Sequence, residues 1–177
     1  MNDVLDAARR QFAERGYRAT TVRSVAAAAG VTSAMVHHFF GSKQQLFLAA
    51  VRMPINPAEI LANLARGPRP EFPRRLVTTF VTLWSDQASG PALQGVMRSA
   101  LNDPERAQAF RMFADTVLLP MVAERLAVPP ERVGTALSIM LGMAFTRYLV
   151  GIPTLANLSD EQVIEHYVPS VASALFQ

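Results

Sequence analysis

The sequence predicts an all-α protein in two parts: a small N-terminal helical unit, residues 1–52, and a larger helical bundle, residues 53–177. Three observations carry that reading. No stretch sustains the polar–apolar alternation of a strand. Gly, Pro and Ser/Thr punctuation divides the chain into segments of helical length. Positive charge is segregated: residues 1–52 hold seven Arg or Lys against three acids, and the remainder is close to balanced, with 10 basic and 11 acidic side chains.

The first helix is expected from Asp3 to Arg15, where Leu5, Ala8 and Phe12 share a face and Gly16 supplies a stop. Thr21 is a suitable N-cap for the second, in which Val22, Val25, Ala26 and Ala29 fall at i, i+3, i+4 and i+7. Gly30 ends it. Thr32 caps a short third helix from Ser33 to about Phe39, and Ser42 a fourth from Lys43 to Arg52. Pro54 and Pro57 disfavour helix at the residues before them, so Met53-Pro54 to Pro57 reads as a hinge between the parts. Beyond it, helices are expected near Ala58–Arg66, Arg74–Gln87, Ala92–Leu101, Glu105–Leu126, Glu131–Val150 and Asp160–Phe176, with Pro120 kinking or splitting the fourth of these.

Composition removes several function classes. There is no cysteine, hence no disulfide scaffold, thiolate metal site or cysteine nucleophile. Met1 to Phe12 carries four charges and no continuous apolar stretch, unlike a secretory leader, so a cytoplasmic protein is expected. Val133 to Ile152 is long and apolar enough to cross a bilayer. With Thr135, Ser138, Thr146 and Arg147 inside it, it reads instead as a buried helix of a soluble bundle, and no membrane partner is expected. Catalytic signatures are missing: there is no G-x-S-x-G elbow, phosphate-binding Gly-rich loop or His/Glu metal pair, so no enzyme and no cofactor are expected. Adjacent helical residues point about 100° apart, so His37 and His38 cannot readily share one metal.

Two short helices joined by Gly30-Val31-Thr32 form a helix-turn-helix whose second member is free to present its outer face to a major groove. Three runs sharpen this: Gly16-Tyr17-Arg18-Ala19-Thr20-Thr21-Val22-Arg23-Ser24-Val25-Ala26, then Ala29-Gly30-Val31-Thr32, then Phe40-Gly41-Ser42-Lys43-Gln44-Gln45-Leu46. In order and spacing they resemble the DNA-binding domain of the tetracycline-repressor-like (TetR) family over roughly residues 1–50. The resemblance implies an N-terminal three-helix helix-turn-helix domain and a C-terminal helical bundle for ligand and dimerisation. It makes Ser33 to Phe39 the recognition helix, with Thr32, Ser33, Ala34, His37 and His38 towards double-stranded operator DNA and Thr21 and Lys43 on phosphates. His37 stands where the family usually has tyrosine. Lys43 is the one lysine beside sixteen arginines. In the first turn of a helix a cation opposes the macrodipole, while the same position makes a good anion site.

The family's second domain usually binds a small molecule and dimerises. Five of the eight methionines lie in residues 97–143, among Phe and Trp side chains. Such a set either fills a core or lines an adaptable pocket for an apolar or amphipathic effector; Trp84, Met97, Phe113 and Met143 are the candidate lining. Arg98, Arg111, Asp115 and Arg147 are candidate polar anchors or salt-bridge partners. Val133, Leu137, Met140, Leu141, Ala144 and Tyr148 form one apolar face, and Val163, Tyr167, Val171, Ala174 and Leu175 another, predicting a four-helix homodimer interface. A repressor released from a palindromic operator by an effector is expected; a DNA-binding regulator without an effector is the alternative.

Overall fold

A computed structural model describes residues 1–51, 55–64 and 66–177; the predicted hinge residues Met53 and Pro54 lie outside them. Every regular element among the described residues is helical. They are α1 (Asn2–Ala19), α2 (Val22–Ala28), α3 (Ser33–Phe40), α4 (Lys43–Ala50), α5 (Pro57–Leu64), α6 (Phe72–Ser85), α7 (Ser89–Asn102), α8 (Pro104–Phe113), α9 (Leu119–Leu126), α10 (Pro130–Ala144), α11 (Pro153–Ala156) and α12 (Asp160–Phe176).

Most boundaries follow from caps written in the sequence. The Thr21, Thr32 and Ser42 hydroxyls accept the backbone N–H of Ser24, Met35 and Gln45, and Ser159 does the same for Gln162 at the start of α12. Each satisfies one of the donors a helix start leaves over. Gly16 breaks α1 as expected, at φ 77°, after which Tyr17 to Ala19 form one further turn. Helix α7 begins three residues earlier than Ala92, because the Asp86 carboxylate accepts the N–H groups of Ala88 and Ser89. Pro120 does split its helix. A π-helical turn spans Ala114–Leu118, and Pro120, lacking an N–H, sits in the first turn of α9. A second π turn, Phe145–Val150, forms the end of the region read as one helix to Val150, and the short α11 follows it. The wide turn ends at Gly151, φ 70°.

The chain divides into two compact units, Met1–Met53 with Ser99–Val117, and Pro54–Arg98 with Leu118–Gln177. In the first, Val4, Ala7, Ala8 and Phe12 of α1 pack with Val25 and Ala26 of α2, Val36 of α3, and Leu46, Phe47 and Leu48 of α4, all buried. Phe12, Tyr17 and Phe47 form an aromatic triad with centroids 4.9–5.7 Å apart. The Gln108 side chain of α8 donates to the Ala13 carbonyl of α1.

In the second unit the core runs through Leu61 and Leu64 of α5, Phe72, Val77 and Val81 of α6, Val122 and Leu126 of α9, Val133, Met140 and Met143 of α10, and Val163, Val171 and Leu175 of α12. Helices α6 and α10 both lie against α12. This corrects the predicted dimer faces: Val133, Met140, Ala144, Val163, Val171 and Leu175 are buried within the chain itself, leaving Leu137, Leu141, Tyr148, Tyr167 and Ala174 only half-buried. The segment Pro130–Val150 is long and apolar enough to cross a membrane by length and composition. It is not buried all round as expected, because Thr135, Ser138, Gly142 and Phe145 are exposed.

Arg147 stitches the interrupted region together. Its side chain is 8% exposed; Nη1 donates to the Leu155 carbonyl, and Nη2 donates to the Leu158 carbonyl at 2.9 Å and to Asp160 at 3.1 Å. Nε is buried without a partner. Of the two roles open to Arg147 from sequence, the salt bridge is the one formed.

Candidate nucleic-acid interface

The helix-turn-helix is held from beneath by a polar network that sequence periodicity did not reveal. Gln11 lies on the buried side of α1, only 8% exposed. Its Nε2 donates to the Ser24 carbonyl at 2.9 Å, and its Oε1 accepts the Ser24 hydroxyl at 2.6 Å. Ser24 Oγ in turn accepts the backbone N–H of Thr21, completing a reciprocal cap with the Thr21 hydroxyl. Thr20, fully buried, donates its hydroxyl to the Gln11 and Gly16 carbonyls. The start of α2 is thereby tied to α1 through part-buried hydrogen bonds. A polar residue inside the apolar stripe Ala7, Ala8, Gln11, Phe12 was the available signal.

Lys43 is positioned as tightly. Its ammonium stands 4.4 Å above the centroid of the Tyr17 ring and donates to the Arg18 carbonyl at 3.3 Å. Partial burial pulls its pKa below the ordinary lysine value and raises that of Tyr17. Two N–H groups of the ammonium remain for a ligand at the α4 N-terminus. Arg9 donates Nε to the Ala50 carbonyl at 2.8 Å and pairs with Asp6. It closes the C-terminal end of α4, the end a cation favours.

Gly30, φ 67°, makes the turn between α2 and α3. On α3, Val36 points into the core, while Ala34, Met35, His37, His38 and Phe39 are exposed and Ser33 is half-buried. Thr21 and Thr32 are exposed at their helix starts. The structure thus brings Thr21, Thr32, Ser33, Ala34, His37, His38 and Lys43 together within one compact unit. His37 Nδ1 stands 3.2 Å from the Gly41 carbonyl, so that nitrogen donates and Nε2 is the free one. The His38 ring meets Phe39 edge-on at 5.3 Å.

The candidate pocket residues distribute differently. Trp84 and Met97 belong to a small cluster with Leu93 and Ala144, where Trp84 stacks between Phe80 and Tyr148. Met143 lies in the main core. Phe113, 3% exposed, belongs to the other unit. A groove of about 460 Å³ lies elsewhere on the second unit, lined by Arg69, Pro70, Ala127, Val128, Pro129, Arg132, Leu175 and Phe176. Among the described residues no three His, Asp or Glu side chains come together as a metal site.

An all-helical chain that carries a capped helix-turn-helix on its more basic part defines the class of helix-turn-helix regulators. The family model described as "Bacterial regulatory proteins, tetR family" matches residues 4–50, and that described as "Tetracyclin repressor-like, C-terminal domain" matches residues 71–175. The chain belongs to the tetracycline-repressor family. It is 31% identical to a TetR-family regulator from Streptomyces coelicolor, whose crystal structure it matches with a TM-score of 0.52 over 99% of this chain and 94% of that one. It is 35% identical over 104 residues to the HTH-type transcriptional repressor AcnR of Corynebacterium efficiens, 59% of this chain and 42% of that protein. Against the HTH-type transcriptional regulator BetI of Brucella anthropi it is 36% identical over 81 residues, 46% and 41% of the two chains. The matches thus span about two fifths of the length of these two relatives.

Proposed function

We propose that this chain is a DNA-binding transcriptional repressor acting in the cytoplasm as a homodimer on a palindromic operator, and released by a small apolar or amphipathic effector. The observation that carries it is Lys43, locked between Tyr17 and the Arg18 carbonyl at a helix N-terminus beside the exposed face of α3. An ammonium fixed there has no carboxylate partner among the described residues and suits a phosphate. Thr21, with its capped N-terminus of α2, supplies the second phosphate contact. Ser33, Ala34, His37 and His38 face the bases. The reader comprises residues 1–52 and the regulatory part residues 53–177, in keeping with the two matched family models.

Dimer formation uses the half-buried apolar side chains of α10 and α12 that the chain's own core leaves over, Leu137, Leu141, Tyr167 and Ala174 among them. The effector is held within the second unit, among the aromatic and Met side chains around Trp84, Met97 and Met143. It acts by preferring one of two arrangements of the regulatory helices.

The test is binding of the purified chain to duplex DNA from around its own gene, against random duplex, across a salt series. A specific footprint with two-fold symmetry is expected. Absence of binding even at low salt would overturn the proposal.

A further inference from the structure

The recognition helix carries none of the side chains that usually read bases by paired hydrogen bonds. Guanine is taken by Arg or Lys, adenine by Asn or Gln, and cytosine by Asp or Glu. The sequence of α3 is Ser-Ala-Met-Val-His-His-Phe-Phe, without any of them. Its polar groups are Ser33, half-buried, and the two histidines, of which His37 already spends Nδ1 on the Gly41 carbonyl.

Its other exposed side chains are apolar. Helical residues advance about 100° each, so Ala34 and His38 lie opposite the buried Val36, Met35 and His37 stand about 100° to either side of it, and Phe39 lies on the Met35 side. Met35 is 46% exposed and Phe39 55%. They are the one i, i+4 pair among the exposed large hydrophobics of the described residues. Apolar side chains scattered singly on a surface mean nothing. Two of them, stacked one turn apart along one exposed flank of the helix that the proposed function places in the groove, are a different matter. The apolar group in a major groove is the C5 methyl of thymine.

We infer that this chain recognises its operator chiefly by thymine methyl groups, contacted by Ala34, Met35 and Phe39, with the histidines supplying the remaining hydrogen bonds. The inference rests on the DNA-binding reading and goes beyond it by naming the chemical group that is read. Charge and selectivity then lie on different residues. Lys43 and the Thr21 helix start hold phosphates in a salt-dependent way, whereas methyl contacts are indifferent to salt.

The full chain is used to select its preferred duplex from a random pool, and each dT in the bound region is then replaced by dU, which removes only the methyl. Burying one methyl corresponds to about a fourfold change in affinity. Each contacted dT→dU change is expected to weaken binding by about that factor, equally at low and high salt. Met35→Ala and Phe39→Ala, both at exposed positions, are expected to leave thermal unfolding unchanged and to abolish the dU effect at their own thymines.

A duplex carrying dU throughout that binds as tightly as the parent would overturn the inference while leaving a sequence-specific regulator intact. A dU effect that persists in both variants would also overturn it, by placing the reader elsewhere. Loss of stable self-association in these variants, with no change in DNA selectivity, would assign the apolar face to a protein contact and likewise sink it. If the pool yields no preferred duplex at all, the DNA-binding reading itself fails, a result distinct from each of these.

Discussion

Replacing Lys43 by Gln separates folding from DNA binding, because the terms acting on the folded state nearly cancel. The ammonium sits 4.4 Å above the Tyr17 ring, a contact worth about 0.5–1 kcal/mol at an exposed site. Against that, a cation in the first turn of α4 opposes the macrodipole at a cost of about 0.3–1 kcal/mol. Lys43→Gln is therefore expected to change stability by less than about 0.7 kcal/mol, within the spread of those two terms. DNA binding behaves differently. One phosphate neutralised per protomer contributes about 0.9 to the slope of log affinity against log salt, so a dimer loses about 1.8. At about 0.15 M salt, that slope corresponds to roughly 30-fold weaker binding. Fluorescence anisotropy with the selected duplex, titrated from about 0.05 to 0.3 M salt, reads both quantities. Lys43→Arg, which keeps the charge, should keep the slope. A Lys43→Gln protein with normal stability and an unchanged slope would refute the phosphate assignment.

The remaining expectations concern the scaffold. Gln11→Leu strips the Ser24 carbonyl and hydroxyl of their buried partner and should cost about 1–3 kcal/mol in urea unfolding, with DNA affinity falling at constant salt slope. Arg147→Met removes the side-chain donor from the Leu155 and Leu158 carbonyls and from Asp160 and should cost about 1–3 kcal/mol, read by calorimetry. Ala127 adopts φ 50°; a non-glycine residue there costs about 1–2 kcal/mol, partly returned by the freedom glycine regains in the unfolded chain, so Ala127→Gly should raise the unfolding midpoint. The Asp86 carboxylate accepts the backbone N–H of Ser89, the Ser89 hydroxyl and the N–H of Ala88, which together hold its pKa below the ordinary 3.8. A depressed carboxylate stabilises the fold above its unfolded pKa and loses that effect as the pH falls through its folded one. Asp86→Ala should accordingly be less stable than the parent at neutral pH, and the two should converge once the solution is more acidic than the folded pKa.

What was legible in the sequence was local. Thr21, Thr32 and Ser42 could be named as caps because a cap is defined within three residues of chain, and Gly16 and Gly30 because a left-handed turn favours one residue type. Gln11 and Arg9 were not legible, since their partners Ser24 and Ala50 lie 13 and 41 residues away. The π turns carry no composition that distinguishes them from α-helix; only Pro120 marked the first. The apolar faces of α10 and α12 were read correctly as apolar, but periodicity does not say which neighbour covers a face. Val133, Met140, Val163 and Val171 turned out to be covered by the chain's own helices. The same ambiguity separates core from pocket for Trp84 and Met143: burial alone fits both.

The network beneath the reader constrains how any effector acts. Thr21 is tied through Ser24 to Gln11 of α1, and Lys43 through Tyr17 to the same helix's final turn, with Phe12 and Phe47 packed behind it. Moving one proposed phosphate contact relative to the other would break the part-buried Gln11–Ser24 hydrogen bonds and an aromatic triad, a cost of several kcal/mol. Typical allosteric couplings are about 1–3 kcal/mol. An effector of that strength cannot rearrange contacts inside the unit. It can act only by changing where whole readers stand relative to each other, which the two-fold spacing of an operator is built to detect. The proposed regulation therefore predicts that ligand alters the affinity of the dimer for a full palindrome while leaving binding to an isolated half-site unchanged.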